Sequence, residues 1–173
     1  MTMEDTTETQ WDEDGRLEVL TFDLQAEKFA VEAVLVREIL DLLPETVVPG
    51  ADRLVASVAN FRGKIIPIAD LRLAFGLPSA ESTMDSRIVV VELDVDGVPT
   101  QIGIRTDKVH EVATLHRDAS ETPPTVGLRW RRDFIRELVR TPQGVIVLAN
   151  IARIFDPLLS GRATPAVLAP ALL

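Results

Sequence analysis

Two histidines, an Asp-rich turn, a few spaced carboxylates and one basic aromatic run are the residues here whose types could do chemistry. His110 and His116 lie six apart. On an extended strand they share a side but stand roughly 20 Å apart, too far to converge on one metal. They read as ordinary surface or half-buried histidines. Asp94-Val95-Asp96-Gly97 starts like a calcium loop, but Val98, Pro99 and Thr100 follow and no bidentate Glu closes it. A hairpin turn is the better reading, because Asp-Gly tolerates positive φ. Asp41 with Glu45, or Asp107 with Glu111, could do acid–base work only in a pocket that raised one pKa. Nothing places them in one, so they read as solvated charge. Arg129-Trp130-Arg131-Arg132 could grip phosphate or a partner carboxylate. The preferred reading lays the Arg stems across a Trp at a barrel end.

Gly-x-Gly-x-x-Gly, Walker-type and Gly-x-Ser-x-Gly motifs are absent. The chain has no Cys, which excludes disulfides, thiolate ligands and Cys nucleophiles. The expectation is a protein without catalytic residues, cofactor or metal. A small-molecule enzyme on a β-barrel is the remote alternative.

The elements that position these residues must be built mostly from Val, Ile, Leu and Ala. Of 173 residues 46% are hydrophobic, only 5% are aromatic, and Tyr is missing. Branched side chains pack best on a pleated surface, so strands are favoured. A net charge of −9 opposes a nucleic-acid partner. Glu4, Asp5, Glu8, Asp12, Glu13 and Asp14 give residues 1–14 the character of a disordered, solvated acidic tail. No signal peptide is evident and no apolar run approaches the ~18 residues of a membrane span. The expected place is the cytoplasm, without direct membrane insertion.

Alternation predicts strands over Arg16–Leu24, Lys28–Val31 and Leu35–Leu40. Leu54, Val55 and Val58 fit helical spacing, so Asp52–Asn60 reads as a short helix capped by Asp52 and ended by Gly63. Lys64–Ile68 resumes as a strand whose Pro67 implies an edge or irregular position. A helical turn over Asp70–Phe75 stops at Gly76. Arg87–Leu93 and Val98–Ile104 form the clearest hairpin, and Val109–Leu115 is a further strand. Ser120–Arg132 reads as loop. Phe134–Arg140 pairs with Val145–Leu148 around Thr141–Gly144. A short helix over Asn150–Phe155 is broken by Asp156-Pro157. One unit is expected over 15–160, with 161–173 a flexible tail.

Three stretches resemble the CheW family of chemotaxis adaptors: Phe29–Leu40, then Val58–Arg72 (VANFRGKIIPIADLR), then Ile102–Val109 (IGIRTDKV). The middle stretch carries an Asn-apolar-Arg-Gly followed by aliphatic-Pro-aliphatic and Asp-Leu-Arg. The similarity covers about residues 17–158. It implies a mainly β fold of two intertwined five-stranded SH3-like barrels with a few short helices. It also implies an adaptor without catalysis, which binds the regulatory domain of the histidine kinase CheA and the cytoplasmic tip of a methyl-accepting chemotaxis receptor. A coupling module for a related output, such as surface motility, is the alternative. Departures fall at Ser57, where Gly is usual, at Arg105 and Thr106, where aliphatics are usual, and over 117–133.

On this resemblance Val36, Glu38 and Ile39 are expected to face the kinase, with core packing the alternative for the two aliphatics. Arg62 is expected at the receptor-binding surface, ion-paired to Glu38. Ile88 and Val89, with Ile102 and Ile104 across the hairpin, are expected to line a receptor groove, core packing being the alternative. Asn60, Gly63, Pro67, Asp70 and Asp107 are expected to be structural, Gly63 by supplying the backbone conformation that leads from helix to strand.

Overall fold

A computed structural model describes residues 8–123 and 132–159. The described residues form twelve strands in two six-stranded sheets, with two short helices. Sheet A runs β10-β11-β12-β2-β1-β9 and sheet B runs β3-β7-β8-β6-β5-β4. The strands of sheet A are β1 (Arg16–Leu24), β2 (Glu27–Glu32), β9 (Lys108–His116), β10 (Ser120–Glu121), β11 (Ile135–Thr141) and β12 (Gly144–Ala149). Those of sheet B are β3 (Val36–Leu40), β4 (Glu45–Val47), β5 (Ser57–Phe61), β6 (Lys64–Ala69), β7 (Arg87–Val95) and β8 (Val98–Thr106). Helices α1 (Leu71–Ala74) and α2 (Ile151–Leu159) follow β6 and β12. The expected mainly β, intertwined architecture is present. Each sheet has six strands in an open order, however, rather than five in a closed barrel.

The intertwining is visible in the order. The chain opens sheet A with β1 and β2, builds all of sheet B, and returns to finish sheet A. It passes between sheets at only two places: a 3-10 turn at Ala33–Leu35, and the bend at Asp107 between β8 and β9. Between the sheets lies the largest apolar cluster, with Phe22, Phe29 and Val31 from sheet A and Val89, Val91, Ile102 and Ile104 from sheet B. Phe29 and Phe75 meet within it as a tilted ring pair, 4.9 Å between centroids. Each sheet also curls around a smaller cluster of its own. In sheet A this holds Leu17, Val19, Ala30, Leu115, Val139, Ile146 and Leu148. In sheet B it holds Ala59, Phe61, Ile66, Ile68, Ile88 and Val90.

Three sequence expectations change. The helix over Asp52–Asn60 is a 3-10 turn, Arg53–Val55, followed by β5. Asp52 does cap it, accepting from Leu54 N at 2.9 Å. Ser57–Phe61 alternates in burial and pairs with both β4 and β6, so sheet pairing overrides the helical spacing. The second helix runs on through Asp156-Pro157 to Leu159, because buried Ile151, Ile154 and Phe155 anchor its start. Residues 9–14, read as part of a solvated tail, lie against sheet A. Trp11 packs on its inner cluster, Thr9 Oγ1 donates to Glu137 at 3.1 Å, and Asp12 Oδ1 accepts from Asp14 N and Arg16 N. Residues 1–7, 160–173 and the run Arg129-Trp130-Arg131 lie outside the described residues.

Pro67 pairs with Val58 in an unbroken register, inside the sheet and not at its edge. The parallel pairing of β6 with β8 begins only at Ile68, so the missing N–H of Pro67 falls just before that ladder.

Candidate docking surface

The Asn-Phe-Arg-Gly stretch is a hairpin tip. Phe61 pairs with Lys64, leaving Arg62-Gly63 as a two-residue turn. Both have positive φ, +53° and +81°. That is the primed turn whose twist matches antiparallel strands, and it explains Gly63. Gly63 therefore joins two strands and does not end a helix. Asn60 Oδ1 accepts from Gly63 N at 2.8 Å, holding the turn. The Arg62 guanidinium lies 5.2 Å from the Phe61 ring centroid and reaches Glu38 Oε2 at 2.6 Å. The expected ion pair is therefore present. The Arg62 side chain is 73% exposed, so the pair adds at most ~1 kcal/mol to stability. Its effect is to hold a cation in one place on the surface.

Glu38 stands on β3, at the edge of sheet B. Val36 pairs with Val91 and Glu38 with Val90, so Arg37 is an extra residue, a β-bulge. Directly opposed residues share a face. The bulge therefore brings Val36 and Ile39, opposite Val91 and Val89, to the face of the inter-sheet core. Glu38 and Leu40 take the other face, with Val90 and Ile88. Val36 is half-buried against the core and Ile39 is 43% exposed. The three residues expected on one surface thus divide between two faces of an edge strand. Arg37 fixes the bulge through Glu92, by Nε at 3.2 Å and Nη2 at 3.0 Å. Sequence reasoning passed over this pair, since nothing local links residues so far apart.

Ile88, Val89, Ile102 and Ile104 are at most 1% exposed, so they line no groove. Strands β7 and β8 are buried on both faces: Val89, Ile102 and Ile104 in the inter-sheet core, Ile88 in the core of sheet B. A run buried on both sides carries no alternation to mark an outer face.

The remaining motif residues, Asp70 and Asp107, lie at the far end of β6 from this tip. Asp70 caps α1, accepting from Arg72 N at 3.1 Å. Arg72, 5% exposed, is paired with Asp107. Two departures from the family pattern meet here. Ser57 Oγ donates to Glu45 at 2.5 Å, and Arg105 pairs with the same carboxylate oxygen. The Glu45 carboxylate thus satisfies the polar group that each change introduces. His110 is half-buried with Nε2 2.9 Å from Asp23 Oδ2, and His116 is exposed.

A small mainly β protein with two interlocked sheets, and an exposed tethered arginine at one hairpin tip, has the build of an interaction module. The CheW-like domain profile matches residues 18–158, and the chain belongs to that family. The "Chemotaxis protein CheW" of Rhizobium meliloti (strain 1021) is 27% identical over 141 residues, 82% of this chain and 88% of the relative. That of Bacillus subtilis (strain 168) is 26% identical over 149 residues, covering 85% and 92%. The crystal structure of the scaffolding protein TtCheW from Thermoanaerobacter tengcongensis superposes with a TM-score of 0.70 at 28% identity, covering 81% of this chain and 92% of that one.

Proposed function

We propose that this chain is a cytoplasmic chemotaxis adaptor that couples receptors to a sensor histidine kinase by binding both, without catalysis. The kinase of the CheA type meets Val36 and Ile39 on one face of β3, and the receptor tip meets Arg62 at the neighbouring hairpin. Glu38 borders both. The observation that carries this reading is the Arg62–Glu38 tether: a cation 73% exposed yet held at 2.6 Å by an edge strand. Preorganisation of this kind lowers the ordering cost of binding and adds little to folding. Among the described residues no helix is long and apolar enough to cross a membrane.

The test is reconstitution. Purified protein, kinase and receptor fragments are mixed and kinase autophosphorylation is measured. Stimulation is expected only when all three are present, and Arg62→Ala is expected to lower it while circular dichroism stays parental. Normal stimulation by a folded Arg62→Ala protein would reject the assigned role of the tether.

A further inference from the structure

We infer that Arg72 and Asp107 are a positioning pair that fixes the angle between the two sheets. The chain crosses between sheets twice, at residues 33–35 and at Asp107. Two covalent crossings leave one rotation free, about the line that joins them. The apolar core between the sheets resists that rotation only through packing, which is non-directional. Asp107 supplies direction. Its backbone N–H donates to Asp23 O at 3.0 Å, and its Oδ2 accepts from Gln25 N at 2.6 Å. Both acceptor and donor belong to the β1–β2 hairpin of sheet A. Its Oδ1 takes the guanidinium of Arg72, on the helix that caps sheet B. One carboxylate at the crossing thus joins the β1–β2 hairpin of sheet A to the helix of sheet B by two charge-assisted bonds.

The burial pattern fits a pin. Arg72 is 5% exposed, and its second terminal nitrogen is buried without a hydrogen-bond partner among the described residues. A buried guanidinium with one carboxylate cannot leave that carboxylate for another. Strand registers match the two sheets residue for residue. They place Val34 where the second crossing has Asp107, and Ala152 where α1 has Arg72. The pin therefore occurs once, at one of the two crossings.

The functional consequence rests on the adaptor reading: a fixed angle lets one docking surface report on the other. The test of the pin does not rest on it. The chain has no Cys, so spin labels go cleanly to Ile65→Cys in sheet B and Val145→Cys in sheet A, both exposed. A control pair, Val112→Cys with Val145→Cys, lies within sheet A. Asp107→Asn, and Arg72→Lys as the milder variant, are introduced into each. Pulsed dipolar spectroscopy is expected to show a wider or displaced distance distribution across the sheets and an unchanged one in the control. Parental distributions in folded variants overturn the proposal. So does widening of both pairs, which is general loosening, or loss of fold in both variants, which makes the pair structural alone. In the reconstituted assay, receptor-dependent stimulation is expected to fall about five-fold or more while each partner alone binds as before. If the parent protein gives no stimulation, the adaptor reading fails and the distance result still decides the pin.

Discussion

Sheets A and B follow one plan, and they differ at a hairpin tip and at one crossing between the sheets. Their orders superimpose as β10-β11-β12-β2-β1-β9 on β4-β5-β6-β8-β7-β3. The match extends to single residues. Val36-Arg37-Glu38-Ile39 on β3 corresponds to Val109-His110-Glu111-Val112 on β9, each with a bulge. Arg37 pairs with Glu92, and His110 Nε2 lies 2.9 Å from Asp23 Oδ2, at matching places. Asp70 N donates to Leu54 O at 2.9 Å, and Asn150 N to Phe134 O at 2.8 Å. Ile39 and Val112 are both exposed. The hairpin tips diverge. Sheet B has Arg62-Gly63, both at positive φ. Sheet A has Pro142-Gln143, where Pro fixes a negative φ, and Gly144 takes up the mismatch at +120°. Glu111 therefore has no arginine where Glu38 has Arg62. A shared scaffold supplies the edge strand twice, and a single turn decides which copy presents a tethered cation.

The two crossings between sheets should respond most unequally. Asp107→Ala leaves Arg72 buried without its carboxylate, which costs about 3 kcal/mol. Val34→Ala, at the equivalent place and 72% exposed, should change stability by no more than about 0.5 kcal/mol. Urea unfolding measures both. Equal losses would erase the distinction between the crossings.

The inner clusters are sealed differently. Trp11 covers that of sheet A, while Leu40, Leu42 and Leu43 cover that of sheet B. Trp11→Ala should cost about 2 kcal/mol, below a fully buried Trp because Trp11 is only half-buried. Hydrogen exchange should quicken at Val139 and Leu148 and stay parental at Ile88 and Val90. Uniform quickening would mean that the sheets do not keep separate seals.

A smaller effect tests the packing match. Registers align Gly103 with Ala30, and Ile68 with Leu148. A Cβ on Gly103 would meet Ile68 Cδ1 at 2.6 Å and Ile88 Cγ2 at 2.9 Å. Gly103→Ala should therefore cost about 1–2 kcal/mol by overpacking. Ile68→Val, which removes that Cδ1, should recover part of the loss in the double variant. Full additivity would show that the two side chains do not compete for the same space.

The internal match explains what the sequence disclosed and what it hid. Strands with one buried face, such as Arg16–Leu24, announced themselves by alternation, and Asp96-Gly97 by turn chemistry. The Arg62–Glu38 pair followed from the resemblance, whose Asn-Phe-Arg-Gly motif is a turn signature. The repeat was obscured because it is conserved in register and not in residue type: Ile68 answers to Leu148, Gly103 to Ala30, Arg62 to Pro142. Ser57–Phe61 passed for helix because Leu54, Val55 and Val58 fall at helical spacing behind a capping Asp52, and only pairing with β4 and β6 decides otherwise. Ile88, Val89, Ile102 and Ile104 could not be sorted into core and surface because their strands have no outer face. The Trp11 seal was masked by the acidic residues around it.

The least effect on folding is expected at the tip itself. Arg62→Ala and Glu38→Ala should each shift unfolding by less than about 1 kcal/mol, with a coupling energy of about 0.2–1 kcal/mol in the double-mutant cycle. The same variants should weaken assembly with receptor and kinase far more than they weaken folding. The reverse construction sharpens the point. Pro142→Arg with Gln143→Gly gives sheet A a turn of the same type, within reach of Glu111 by register. Protein carrying both changes should gain a salt-sensitive coupling to Glu111, lost on Glu111→Ala, with no gain in kinase stimulation. Stimulation rescued by this second tether in an Arg62→Ala background would mean that the tethered cation suffices on either sheet, and that the surroundings of Arg62 on sheet B contribute no specificity.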